Sequence, residues 1–200
     1  MPHERDVEAF DIRARRYEGD WRGRLHSDIV SRTLDLALQE GLQPQRVLDV
    51  GCGTGQLLRR LAAGQDGDCG ELVGVDASPG LIKEARSRAD DPRLVFLQGE
   101  AERLPFPENH FELVFATTSF DHWADQRLGL RECARVLAPG GRFILTDLFS
   151  MWLLPTLLLA RRGRVRTKRR VTSLLQAAGL TVVRSEPVYR PLLATIVATK

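Results

Sequence analysis

The 200-residue sequence is poor in cysteine, methionine and aromatic residues, and it contains no long hydrophobic run. Its three cysteines, Cys52, Cys69 and Cys133, are too few and too scattered for a disulfide scaffold or a zinc site, and we expect reduced thiols. No window reaches the roughly 20 apolar residues that a membrane-spanning helix needs. The first residues are charged and include no apolar export signal. These absences favour a cytoplasmic globular protein, and we expect no bound metal.

Acidic residues are scarce in the last fifth of the chain. Residues 1–160 carry 19 basic and 25 acidic residues, a net charge of −6, whereas residues 161–200 carry ten basic residues and one acidic residue, a net charge of +9. Seven of the ten residues 161–170 are basic, and residues 149–160 before them are largely apolar. Such a pair of segments fits a lid over an apolar substrate, peripheral contact with an anionic membrane, or a solvated loop. A nucleic-acid partner is disfavoured because the basic residues are not interleaved with aromatic ones.

Beyond residue 46, short apolar strands alternate with amphipathic helices. This alternation predicts an α/β fold: a doubly wound, mostly parallel sheet of seven strands with helices on both faces. Before the first strand, apolar residues at helical spacing predict two helices that Gly19 and Gly23 separate. Predicted strands cover residues 47–50, 72–75, 94–97, 111–116, 142–148, 180–183 and 192–198, and predicted helices cover residues 57–62, 78–89, 128–137 and 171–178.

We predict a single domain, because no linker, repeat or change of composition divides the chain. Pro139–Gly141 is expected to end the helix that precedes it. The predicted parts are an N-terminal helical cap (1–45), a ligand-binding core (46–148), an apolar and basic insert or lid (149–170), and a C-terminal helix with two strands (171–200).

A glycine-rich loop follows the first predicted strand. Asp49 lies near the end of that strand, and Gly51, Gly53 and Gly55 follow at alternate positions. Glycines remove the side chains that would keep a ligand from the backbone, and the loop N–H groups then face the ligand. The spacing is not that of a dinucleotide fingerprint, because residue 56 is Gln, and the Gly-Lys-Ser/Thr of a P-loop is missing. The loop therefore suits a nucleoside ligand without a pyrophosphate.

Acidic residues follow the next two predicted strands. Asp76 ends the second strand, where it can accept hydrogen bonds from both hydroxyls of a ribose. Glu100 follows the third strand and can accept a hydrogen bond from an exocyclic adenine amine. Leu81 and Leu104 are placed to sandwich a purine ring. The strand ends thus predict an adenosine-like ligand.

These segments resemble the class I S-adenosylmethionine (SAM) dependent methyltransferases, in particular the type 11 subgroup near the ubiquinone/menaquinone methyltransferases. The resemblance covers about residues 10–150. It is carried, in this order, by VLDVGCGTG (47–55), VDAS (75–78), GEAERLPF (99–106), FELVF (111–115) and RVLAPGG (135–141).

The resemblance implies SAM as the cofactor, S-adenosylhomocysteine as its product, and residues 46–148 as the SAM-binding core. It places Tyr17 over the cofactor and Thr117 beside the sulfonium. The alternatives without a role in cofactor binding are that Tyr17 packs in the core and that Glu100 is an ordinary surface carboxylate. The other residues that the resemblance implies in SAM binding are Asp49, Gly51, Cys52, Gly53 and Gly55 around the glycine loop, and Asp76, Ala77, Leu81, Glu100 and Ala101 around the adenosine.

Candidates for a general base lie after the fourth predicted strand. His122 is preferred, because the unperturbed pKa of histidine lies near neutrality. The alternative is a histidine at a helix start that packs against Trp123. His26 is a weaker candidate for the base, and Asp121 is expected to cap the following helix.

The acceptor is predicted to be a small, apolar or aromatic metabolite. Related enzymes that methylate nucleobases carry an Asn/Asp/Ser-Pro-Pro-Tyr segment or a Pro-Cys pair, and neither follows the fourth strand here. Two alternatives stay open: a methyltransferase of RNA ribose that uses residues 161–170, and a SAM-binding module without catalysis. A dehydrogenase is disfavoured because Gln56 occupies the third fingerprint position.

Overall fold

The computed structural model describes residues 7–8, 10–12, 14, 21–41, 43–64, 70–149, 167–189 and 192–200. These residues form one sheet with helices on both faces. The strands are β1 (Arg46–Val50), β2 (Glu71–Asp76), β3 (Leu94–Gln98), β4 (Phe111–Thr117), β5 (Leu137–Leu148), β6 (Thr181–Tyr189) and β7 (Leu193–Thr199). The helices are α1 (Trp21–Leu38), α2 (Gln56–Gly64), α3 (Pro79–Ser87), α4 (Gln126–Val136) and α5 (Lys168–Ala177), with a 3-10 helix at Phe120–His122.

The sheet has seven strands in the order β3-β2-β1-β4-β5-β7-β6. Strands β1 to β5 pair in parallel, and β7 pairs antiparallel with both β5 and β6. This confirms the predicted α/β class and the mostly parallel, seven-stranded sheet. The chain leaves β1 toward β2 on one side and later returns to β4 on the other, so the strand order reverses beside β1. Ligands of doubly wound sheets bind at such a reversal, beyond the carboxyl ends of the strands.

The core lies on both faces of the central strands. Val47, Leu48 and Val50 of β1 are almost completely buried, as expected for a parallel strand covered on both sides. Helix α2 buries Leu57 and Leu58 together with Leu61 and Ala62, which are the positions that its predicted apolar face contains. Each fully buried leucine contributes roughly 1.5–3 kcal/mol relative to an exposed one. This packing fixes β1 and the loop that follows it.

The N-terminal helices are present, but Gly23 does not separate them. Residues 7, 8 and 10–12 are helical, and α1 runs without a break through Gly23, which is buried. A glycine inside a helix costs about 1 kcal/mol relative to alanine, and tertiary packing outweighs that cost. Gly41 adopts a φ of +66° just beyond α1, in agreement with the predicted end of this helix.

The segment around Pro139–Gly141 also differs from the prediction. Helix α4 ends at Val136 and β5 begins at the next residue, so Pro139–Gly141 lies inside a strand. The pairing of β4 with β5 shifts register at this point, from Leu137 to Arg142 on the β5 side. The proline and glycines thus form an irregularity at the start of a strand, where a missing ladder hydrogen bond is tolerated.

Two predicted features fall partly outside the described residues. Residues 150–166 of the predicted insert and Cys69 are among those that the structure leaves undescribed. Where description resumes, Thr167 caps α5, which starts at Lys168, three residues before the predicted helix. Within the described part of the chain, no helix combines the length and the apolar character needed to cross a bilayer.

Candidate functional site

A cleft opens where the strand order reverses. The space between its walls, including the open solvent at its mouth, is about 740 Å³. The loops after β1, β2, β3 and β4 form most of its wall, and the helical residues Val7 and Phe10, together with His26 of α1, complete it. The lining residues from the ends of these strands and the segments that follow them are Gly51, Cys52, Gly53, Val75, Asp76, Ala77, Ser78, Leu81, Gly99, Glu100, Ala101, Glu102, Thr117, Thr118, Ser119, His122 and Trp123.

The glycine loop after β1 forms the floor of the cleft. Gly51, Gly53 and Gly55 all have positive φ angles, of +77°, +56° and +76°. A Cβ at Gly51 would overlap Ser119, and one at Gly55 would overlap the ring of Phe96, whereas a Cβ at Gly53 would meet nothing within 4 Å. Packing therefore demands the two outer glycines. At Gly53 the backbone is open toward the cleft and forms a cradle, which the side chain of any other residue would fill.

Asp76 joins the end of β2 to the glycine loop. Its Oδ2 accepts a hydrogen bond from the Gly53 N–H at 2.9 Å, and its Oδ1 accepts one from the Ser78 N–H at 2.9 Å. Ser78 caps α3 by accepting from the Leu81 N–H, so Asp76 is not needed as the helix cap. Each carboxylate oxygen has a second acceptor site, and Asp76 lines the cleft. The side chain is thus oriented to receive further donors from a ligand.

Asp49 lies beneath the loop rather than in the wall of the cleft. It is 2% exposed, and its Oδ1 has no hydrogen-bond partner among the described residues. Burial, and then the charge of Asp76, raise the pKa of Asp49 to about 8. A buried carboxyl without a full set of partners is rare, because it costs about 1–3 kcal/mol or more. Because Asp49 lies beside the glycine loop, a cationic group of a bound ligand can compensate the charge of its carboxylate.

Cys52 has a structural role in the loop. Burial, followed by the charges of Asp76 and Asp49, raises the pKa of its thiol well above the ordinary value. Only the thiolate is strongly nucleophilic, so this cysteine is inert. Its side chain packs where a Cβ at Gly74 would collide with the sulfur.

The segment after β4 brings polar side chains to another part of the wall. Thr117 is 5% exposed, and its Oγ1 has no hydrogen-bond partner within the part of the chain that the structure covers. Thr118 has a positive φ of +51°, and its Oγ1 lies 3.1 Å from Nδ1 of His26. Ser119 donates from Oγ to the Val50 carbonyl at 2.8 Å, which ties this segment to β1.

His122 ends the 3-10 helix that follows β4. Its ring packs edge-on against Phe10, with centroids 5.0 Å apart, and its Nε2 lies 3.5 Å from Oδ1 of Asp121. Burial raises the pKa of Asp76, and the hydrogen bonds from the N–H groups of Ser78 and Gly53 partly offset this shift. His122 and Asp76 both line the cleft. The prediction that Asp121 caps α4 is wrong: Asp125 caps it, accepting from the N–H groups of Arg127 and Leu128.

A methyltransferase domain family matches residues 48–145, which hold the glycine loop, Asp76 and the β4 segment. The uncharacterized methyltransferase sll0829 of Synechocystis sp. is 37% identical over 161 residues, which cover 75% of this chain and 72% of that protein. The chain belongs to the class I SAM-dependent methyltransferases. The demethylmenaquinone methyltransferase of Thermus thermophilus is 39% identical over 118 residues, or 58% of this methyltransferase and 52% of that one. The match thus spans about half the length of this relative, as it does for other curated relatives.

Solved structures agree with this methyltransferase fold. A chain from the complex between the Haloferax volcanii Trm112 methyltransferase activator and a methyltransferase superposes with a TM-score of 0.78 at 24% identity, covering 96% of this chain and 98% of that one. The PH0226 protein of Pyrococcus horikoshii superposes with a TM-score of 0.75 at 24% identity, covering 91% and 92%. At these identities the likeness concerns the fold alone.

Most of the residues predicted to bind SAM lie together in this methyltransferase. Asp49 and Gly55 support the loop from outside the cleft wall, Leu104 is buried in the core, and Tyr17 lies outside the described residues. Ser119 was not predicted as a site residue. Its sequence signal is the glycine at position 51, because any other residue there would overlap the Ser119 side chain. The predicted residues that line the cleft are Gly51, Cys52, Gly53, Asp76, Ala77, Leu81, Glu100, Ala101, Thr117 and His122.

Proposed function

We propose that this methyltransferase transfers the methyl group of SAM to a small aromatic acceptor. The observation that carries the proposal is the Gly53–Asp76 pair, in which an open glycine cradle is hydrogen-bonded to an oriented carboxylate at the strand-order reversal. Two relatives are named for demethylmenaquinone and for 27-O-demethylrifamycin SV. These names support a small-molecule acceptor.

The residues present fit SAM along the cleft. The second acceptor sites of Asp76 suit the two ribose hydroxyls, and such charge-assisted hydrogen bonds contribute roughly 1.5–3 kcal/mol each. Gly53 offers its backbone to the methionine end, while the Asp49 carboxyl beneath the loop suits the ammonium group. Leu81 and Ala101, both buried at the cleft wall, supply apolar surface for the adenine.

When bound, SAM supplies a methyl group that its sulfonium already activates. The protein then has to orient the acceptor, exclude water and accept a proton. Val7, Phe10 and Trp123 give the cleft an apolar wall for an aromatic acceptor. Good orientation alone can lower the barrier by roughly 7–11 kcal/mol. Thr117 would stand beside the transferring methyl, and the predicted role of His122 as base stays a prediction.

Calorimetric titration tests the cofactor. We expect micromolar binding of SAM and of S-adenosylhomocysteine, and no binding of NADH. NADH binding by the folded protein, with no response to either SAM ligand, would reject the proposal. Binding of SAM without transfer to any acceptor in a broad screen would favour a SAM-binding module instead.

Asp76→Ala is expected to weaken SAM binding by roughly 10- to 100-fold, because it removes the acceptors for the ribose and for the Gly53 N–H. Asp91→Ala is the matched control, since Asp91 pairs with Arg93 on the surface. Isothermal calorimetry measures both variants. Equal SAM affinity in the Asp76 variant and wild type would remove Asp76 from the proposed site.

A further inference from the structure

His26 and His122 line the cleft, and they contact different groups. His122 packs edge-on against Phe10. His26 instead meets Thr118, at the carboxyl end of β4. Thr118 is next to Thr117, the residue proposed for the transferring methyl. His26 thus lies beside the proposed reacting end of the cleft.

The turn of α1 that carries His26 is held from several sides. Arg60 donates to the Ser27 carbonyl at 2.8 Å, and Tyr189 donates to Asp28. Ile29, one turn further along, is 4% exposed and packs into a cluster with Val188. A side chain on such a fixed helix is positioned more accurately than one on a loop.

Thr118 is held in an unfavourable backbone conformation. A β-branched residue at a φ of +51° is a genuine outlier, and such strain costs about 1–3 kcal/mol. The Thr118 N–H donates to the Thr146 carbonyl at 2.7 Å, and the next residue, Ser119, is bonded to Val50. The surrounding structure therefore enforces the conformation that directs the Thr118 hydroxyl to Nδ1 of His26. Strain of this kind is concentrated at active sites.

The cleft wall beside His26 and Thr118 contains a hydroxyl group that makes no hydrogen bond to the described residues. Thr117 is 5% exposed, lines the cleft, and its Oγ1 has no partner within the residues described. Buried hydroxyls are normally hydrogen-bonded, so this one indicates that a ligand atom belongs here. The polar groups of Thr117, Thr118 and His26 thus define the end of the cleft where a polar acceptor group fits.

We propose that His26 is the general base of this methyltransferase and that Thr118 is its positioning residue. The assignment rests on the proposed function. The assignment requires the tautomer in which Nδ1–H of His26 donates to Oγ1 of Thr118, so that the lone pair of the imidazole lies on Nε2. A base oriented by a hydrogen bond to its other ring nitrogen is a common arrangement in enzymes.

The acceptor class that follows is a phenol. Nε2 of His26 takes the proton of the phenolic hydroxyl, and an oxygen electron pair forms the new O–CH₃ bond. The C–S bond of SAM breaks with its electron pair passing to sulfur. The products are the methyl ether, neutral S-adenosylhomocysteine and a His26 imidazolium, which returns its proton to water. A phenol, with a pKa of about 10, is acidic enough for an imidazole base, whereas an aliphatic alcohol is not.

Nitrogen NMR of protein labelled with ¹⁵N-histidine tests the assignment without turnover. With S-adenosylhomocysteine bound, we expect His26 in the Nδ1–H tautomer. Addition of 1,4-dihydroxynaphthalene, kept reduced, should shift its Nε2 signal. Thr118→Val should disturb the tautomer, and Thr118→Ser should restore it because the hydroxyl is retained. An Nε2–H tautomer, or an Nε2 signal that the phenol leaves unmoved, would overturn the proposal.

Turnover of the same phenol gives a second measurement. His26→Asn is expected to lower the rate of S-adenosylhomocysteine formation by about 100- to 10,000-fold with SAM affinity within twofold of wild type. His122→Asn should chiefly weaken SAM binding, and His110→Asn, which removes a histidine far from the cleft, should change neither. Loss of turnover in the His122 variant but not in the His26 variant would reverse the assignment. Failure to bind S-adenosylhomocysteine in the wild type would reject the proposed function, whereas binding with an unresponsive His26 rejects only this inference.

Discussion

Gly53→Ala is expected to weaken SAM binding by roughly 10- to 100-fold while the protein stays folded. The new methyl group meets no protein atom within 4 Å, and Gly53 lines the cleft, so the methyl occupies space that the ligand needs. Inserting a methyl into a well-packed contact costs about 1–3 kcal/mol, which corresponds to that loss of affinity. Alanine at a φ of +56° also costs roughly 1–2 kcal/mol of stability. Calorimetry with SAM and thermal unfolding of the ligand-free protein separate the two effects.

Gly51→Ala is the matched variant, and its main effect is expected on stability. Its Cβ would overlap Ser119, which cannot move away without losing its hydrogen bond to Val50. Strain and overpacking together cost about 2–5 kcal/mol, or a decrease in Tm of roughly 5–15 °C for a chain of this size. Equal losses of Tm in the two variants, with equal SAM affinities, would contradict the division of roles within the loop.

The central strands were predictable because their signals are local. Val47–Val50 is a short buried run that ends at a glycine loop, and Glu71–Asp76 ends at an acidic residue followed by a helix cap. In a parallel sheet these ends lie at the same edge, so sequence order alone brings Gly53 and Asp76 together. The hydrogen bond between them is the physical outcome of that register.

The misplaced features depend on contacts between distant segments. Gly23 continues α1 because it is buried there, and Pro139 enters a strand because β5 shifts its register against β4. Asp125, not Asp121, is the cap of α4, because a 3-10 turn takes up the residues before it. No local pattern reports such competition between neighbouring elements.

The His26–Thr118 contact shows the same limit within the site. The two residues are 92 positions apart, and their contact requires α1 to pack over the end of β4. The positive φ of Thr118 could not be predicted from the sequence either, because threonine is among the residues least suited to it. Residue chemistry made His26 a candidate, but only the fold shows which group orients it.

Affinity for SAM is expected to rise by up to tenfold per pH unit between about pH 6 and pH 8. The pKa of Asp49 is raised to about 8, so its carboxyl is protonated at pH 7 when no ligand is bound. The ammonium group of SAM favours the carboxylate, so binding expels this proton, and the penalty for doing so grows as the pH falls. Titrations in buffers of different ionisation enthalpy should show release of nearly one proton at pH 7. In Asp49→Asn the release that Asp49 supplies should disappear, because the amide carries no acidic proton.

The stability of the ligand-free protein should show the opposite pH dependence. An unfolded chain ionises Asp49 near its ordinary pKa of 3.8, whereas the folded chain keeps it neutral up to about pH 8. Stability is therefore lost as the pH rises through this window, by an amount on the order of several kcal/mol. Asp91 does not obscure the trend, since its pKa is lowered to about 2 and its titration is complete below the window. Asp49→Asn should accordingly be more stable than wild type in thermal unfolding, by a margin that grows between pH 5 and pH 8. A variant less stable than wild type at both pH values, with SAM affinity unchanged by pH, would mean that the carboxyl is ionised in the ligand-free fold. In that case other groups of the protein, and not the ligand, would compensate the charge of Asp49.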